Sequence, residues 1–107
     1  MRMVQRIGQG MTETDSTPQH RLARMKFRAW HRGTREADYM IGCYFDSYSA
    51  IWAREGDEAA MVWFERLLDE DDVEIMAWAL GTAEVPAAYT GPQMDVMRCL
   101  DYVTIPR

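Results

Sequence analysis

Apolar residues recur along this chain at helical spacing. Ala37, Met40, Ile41, Tyr44, Tyr48, Ile51 and Trp52 fall at i, i+3, i+4, i+7, i+11, i+14 and i+15, which predicts one long amphipathic helix ending near Gly56. Gly42 sits inside that pattern, where it costs about 1 kcal/mol relative to Ala. A close helix crossing would account for it, and so would chance. Upstream, Leu22, Met25 and Ala29 share a face with Trp30 beside them, opposite Arg21, Arg24 and Arg28. This predicts a first helix opening at Pro18, capped by Thr17 or Ser16 and stopping before Gly33. Asp57 is the expected cap of a third helix with the stripe Ala60, Met61, Phe64, Leu67 and Leu68. Asp71 and Glu74 have capping-box spacing for a fourth, with Val73, Met76, Ala77 and Leu80 as its stripe and Gly81 as its end. Thr90 and Gln93 repeat that spacing before Val96, Met97, Leu100 and Val103. No strand pattern competes, so the fold class is all-α: a small five-helix bundle in a single domain. Residues 1–19 lack a sustained apolar period and read as a disordered segment before a helical domain at 20–107.

The 107 residues suit one domain, and 48% hydrophobic content is enough for a small core. No apolar run approaches the roughly 18 residues that span a bilayer, so membrane insertion is not expected. Cys43 and Cys99 fit no metal motif and read as reduced, buried thiols in a cytosolic or matrix-like compartment. Charge is unevenly distributed. Residues 1–36 carry eight basic side chains against three acidic ones, a net +5. The remainder carries four against fourteen, a net −10. Such a chain suits docking on a protein of complementary charge. It suits nucleic acid poorly, because neutralising phosphates needs a net basic surface.

The usual catalytic parts are absent. There is no phosphate-cradling glycine loop, no GxSxG, no HExxH and no CxxC. His20 and His31 read as solvated polar residues. The run DEDDVE at 69–74 lacks the geometry of a calcium loop and reads as a carboxylate-rich helix start. Most aromatics fit helical faces, whereas Trp63 falls off its stripe and is the candidate for an exposed contact. The densest charge lies at His31–Gly42, where Arg32, Arg35, Glu36 and Asp38 surround one tight turn. Two readings stand for it. In one, Arg32 and Glu36 complement helix dipoles and Gly33 supplies a positive φ. In the other, Arg32 and Arg35 fork onto a partner's carboxylates, Glu36 takes a partner's cation, and Gly33 admits the partner's backbone.

Arg32-Gly33-Thr34-Arg35-Glu36 resembles the RGxxE motif of the succinate dehydrogenase FAD assembly factors. The resemblance extends through Phe45-Asp46 and the stretch from Asp57 to Gly81, with RLLDEDD and Trp78 at the family's spacing. His31 stands where that family often has another Arg. The resemblance implies a five-helix bundle with no catalytic role of its own. It implies binding to the flavoprotein subunit of succinate dehydrogenase, with fumarate reductase as a second client, while FAD is joined to that subunit. FAD is then the client's cofactor, and this chain holds none stably. Carried over residue by residue, Arg32, Gly33 and Glu36 are the partner contacts, with Arg35, Asp38, His31 and Asp46 as weaker members. The implied setting is the bacterial cytoplasm or the mitochondrial matrix. Two other classes compete: an antitoxin-like or membrane-complex regulator, and a helical nucleic-acid binder using the basic first helix.

Overall fold

The computed structural model describes residues 17–103. The sequence-based expectation for 1–19 therefore falls almost wholly outside the described residues. Five helices follow in order: α1 (Pro18–Trp30), α2 (Arg35–Glu55), α3 (Glu58–Leu67), α4 (Asp72–Leu80) and α5 (Pro92–Cys99), with a 3-10 turn at Ala87–Tyr89 before α5. No strand occurs among the described residues.

Caps and stops explain most boundaries. The Thr17 hydroxyl accepts from the His20 amide at 3.2 Å, and Asp57 accepts from the Ala60 amide at 3.1 Å. Thr34 caps α2 in the same way through the Ala37 amide at 3.1 Å. Gly56 and Gly81 close α2 and α4 in the left-handed conformation that lacks a Cβ penalty. Two expected capping boxes do not form. Asp71 occupies the cap position of α4 without a side-chain cap bond. At α5 the cap position is Gly91, because Pro92 takes the first turn and the Thr90 hydroxyl donates back to the Ala87 carbonyl at 3.0 Å. α5 ends at Cys99, with Leu100 in the left-handed region, so Val103 lies beyond it.

α1 and α2 form an antiparallel hairpin. Trp30 at the end of α1 lies on Gly42, and Lys26 reaches Asp46 at 3.5 Å. A Cβ on Gly42 would overlap the Trp30 indole, which identifies the close crossing as the reason for glycine. The basic face of α1 is matched within the molecule rather than left outward. Arg21 pairs with Glu58 at 2.8 Å and with Glu65 at 2.7 Å. Arg28 pairs with Asp69 at 2.5 Å, and Arg32 pairs with Asp72 at 2.6 Å. Rising numbers on α1 meet rising numbers on and after α3, so the two helices run side by side in one direction.

Tyr44 is the centre of the core, with ring centroids of Tyr48, Trp52, Trp63, Phe64 and Tyr102 within 5.1–6.0 Å. Burial pushes the Tyr44 and Tyr102 hydroxyls well above the ordinary phenol pKa, and each donates to a carbonyl, of Gln93 and Met97 respectively. Three expectations are corrected here. Trp63 is buried, not exposed, and its indole N–H donates to the Tyr89 carbonyl at 3.1 Å. α4 buries Ile75, Trp78 and Ala79, leaving Val73 77% exposed and Leu80 54% exposed. Seven of its nine residues are apolar, so periodicity alone does not select the face. Of the two free thiols, Cys43 is buried as expected but Cys99 is exposed.

Candidate functional site

The turn between α1 and α2 is built by reaching back and reaching across. The Asp38 carboxylate, one turn into α2, accepts from the Arg32 amide at 2.5 Å and closes residues 32–38 into a loop. From the other direction comes Asp72, the first residue of α4. Its Oδ1 accepts from Arg32 Nε at 2.6 Å and its Oδ2 accepts from the Gly33 amide at 2.6 Å. The rest of the Arg32 guanidinium donates to carbonyls at the C-terminal end of α3: Leu68 at 3.0 Å and Glu70 at 2.9 Å. Both residues lie past Leu67, the last residue of α3, so Arg32 holds down the segment between α3 and α4. Its side chain is 10% exposed.

Asp72 is the electrostatic hinge of this corner. Partial burial pushes its carboxyl pKa upward, but the Gly33 amide and the Arg32 guanidinium outweigh this and hold it below the ordinary aspartate value. Gly33 itself is not in the left-handed region. Its backbone conformation does not demand glycine, which corrects the positive-φ reading. The constraint is steric: a Cβ there would stand 3.1 Å from Asp72 Oδ2.

The remaining candidates separate from this knot. Arg35 and Glu36 point outward in the first turn of α2, exposed and engaged by no ion pair or side-chain hydrogen bond among the described residues. Beside them opens a groove of about 410 Å³ between α2, α4 and the segment after α5. Tyr39 and Met40 line it from α2, Met76 and Leu80 from α4, and Leu100 and Val103 from the far side, with Arg35 and Glu36 completing the lining. Methionine suits such a surface because its unbranched chain adapts to what it meets. His31 is exposed, stacked on Phe27 at a centroid distance of 4.0 Å, with Nδ1 2.6 Å from the Phe27 carbonyl. Asp46 lies ten residues beyond Glu36, about 15 Å along the helix, facing Lys26. The structure thus gathers Arg32, Gly33 and Asp38 into one knot, sets Arg35 and Glu36 at the groove, and puts His31 and Asp46 elsewhere.

Asp72 and Tyr39 are site residues that the sequence pattern did not single out. Asp72 lay in a run read as a generic acidic helix start, and Tyr39 falls one position off the α2 stripe. Among the described residues, no group of three or more His, Cys, Asp or Glu is placed to hold a metal ion. No helix there is long and apolar enough to cross a membrane.

Against known proteins, residues 23–101 match the family model described as flavinator of succinate dehydrogenase. The chain is 31% identical over 77 residues to the FAD assembly factor SdhE of Acetobacter pasteurianus, covering 72% of this chain and 67% of that protein. It is 30% identical over 77 residues to the mitochondrial succinate dehydrogenase assembly factor 2 of Schizosaccharomyces pombe, covering 68% of this chain and 50% of that protein, so it spans about half the length of this relative. No solved structure gives a significant match.

Proposed function

Since the chain belongs to the family of flavinators of succinate dehydrogenase, we propose that it binds the flavoprotein subunit of that enzyme and promotes covalent attachment of FAD there. The observation that carries this reading is the apolar groove bordered by the exposed, opposite charges of Arg35 and Glu36, directly after the RGxxE turn. A groove of this kind takes apolar side chains of a partner. Glu36 accepts from a partner's Arg or Lys, and Arg35 forks onto a carboxylate, which fixes orientation. Arg32, Gly33 and Asp38 serve the same surface from beneath by holding the turn that presents it.

This chain is not the catalyst of the attachment. Binding selects a conformer of the client in which FAD and the accepting side chain are aligned, and the client's own groups carry out the bond formation. The absence of a nucleophile–base constellation from the sequence motifs supports this division. FAD belongs to the client throughout, and fumarate reductase is a second client. The compartment is the bacterial cytoplasm or the mitochondrial matrix, in keeping with relatives of both origins.

The test is binding of the purified chain to the isolated flavoprotein subunit, measured by calorimetry. Glu36→Ala and Leu80→Asp should each weaken binding by about tenfold or more while melting at the wild-type temperature. Unchanged affinity in both variants would move the docking surface away from this groove.

A further inference from the structure

Two halves of the sequence motif, the RGxxE turn and the acidic run after α3, meet in space at a single carboxylate. Asp72 uses Oδ1 for Arg32 Nε and Oδ2 for the Gly33 amide, each at 2.6 Å across about forty residues of chain. Both oxygens are occupied in a fork that fixes the position as well as the charge of the carboxylate. A Cβ on Gly33 would press on that same Oδ2. Asp72 also begins α4, and Met76 and Leu80 follow it at i+4 and i+8, on one helix face. Those two residues form the α4 side of the groove whose other side carries Tyr39, Met40 and Glu36. A single clamp therefore joins the start of one wall to the turn that launches the other.

We infer that Asp72 is a positioning residue for partner docking, setting the spacing of the α2 and α4 walls, and that the motif requires Gly33 because of Asp72 rather than because a partner's backbone approaches there. The inference rests on the proposed docking of the flavoprotein subunit at this groove. It assigns the motif two parts. Arg32 and Gly33, with Asp72, hold the surface, and Glu36 with Arg35 present it. A Cβ at position 33 requires the carboxylate to give by a few tenths of an ångström, and that carboxylate is anchored in the first turn of α4.

A double-mutant cycle tests this. Wild type, Gly33→Ala, Asp72→Ala and the double variant are titrated against the flavoprotein subunit at a temperature where melting curves show all four folded. Gly33→Ala should weaken binding about tenfold in the wild-type background and less than about twofold once Asp72 is already Ala. An equal loss in both backgrounds would mean that Gly33 meets the partner directly, and would overturn the inference. Affinities unchanged in all variants, with only melting temperatures shifted, would reduce the clamp to a stability feature and also overturn it. Should Asp72→Ala not fold, Asp72→Asn replaces it in the cycle.

A partner-free readout separates this inference from the docking reading. The Gly33 amide resonance should move as Asp72 titrates in acid and shift upfield in Asp72→Asn, and a resonance indifferent to both would show that the clamp does not form. If the clamp signature is present but wild type fails to bind the subunit, the docking reading falls, and the positioning role falls with it while the fork itself stands.

Discussion

Arg32 directs its guanidinium at Asp72 and at the carbonyls of Leu68 and Glu70, all within the molecule. Removing it leaves the Asp72 carboxylate with only the Gly33 amide, and the carbonyls of Leu68 and Glu70 without the Arg32 donors. Arg32→Ala should therefore lower stability by about 2–4 kcal/mol, read in urea unfolding, whereas Glu36→Ala should change it by less than about 0.5 kcal/mol. Equal and small effects would show that the corner is not held by Arg32. Asp72 adds a pH dependence. Its pKa is lower folded than unfolded, so its contribution is present above the ordinary aspartate pKa of about 3.9 and is lost as pH falls below it toward the folded value. Asp72→Asn should accordingly flatten the acid limb of the stability curve, and identical acid limbs would contradict the fork. These roles were half legible in sequence. The RGxxE spacing marked the turn, and both a holding and a docking reading followed from it. The choice of Asp72 as the clamp was hidden, because it is one of five carboxylates among six residues, and only the packing of α4 against the turn selects it.

At the scale of elements, the α1–α2 hairpin depends on Gly42. Helix propensity alone predicts that Gly42→Ala stabilises by about 1 kcal/mol. The Trp30 indole occupies the space of the new methyl group, so the substitution should instead destabilise by about 1–3 kcal/mol. A rise in melting temperature would show that the crossing relaxes freely. The row of Arg21 and Arg28 along α1, continued by Arg32 in the turn after it, meets carboxylates on and after α3, which explains how a basic helix sits on an acidic body. Helices and most caps were readable locally because each depends on neighbours three or four residues away. The inward face of α4 was not, since its apolar residues surround the helix and its packing against α5 and the Tyr89 turn decides which are covered. Tyr89 and Tyr102 escaped for a related reason: both lie in irregular segments where no periodicity exists to place them in the core.

For the whole molecule, the charge asymmetry of the chain is largely resolved by folding. Among the described residues, the basic helix α1 is neutralised against the acidic middle, leaving little of a positive face for phosphates. What stays outward at the motif is a groove with Arg35 and Glu36 beside it. A surface of that kind fits a protein partner whose shape matters, and in the proposed function that partner is the flavoprotein subunit of succinate dehydrogenase. The measurement that tests this most directly is covalent flavin in that subunit, read as in-gel fluorescence after denaturation in cells lacking this protein and in cells given it back. The signal should disappear without the protein, return with wild type, and stay low with Glu36→Ala expressed at wild-type levels. Undiminished fluorescence at equal subunit abundance in cells without the protein would contradict the assembly role.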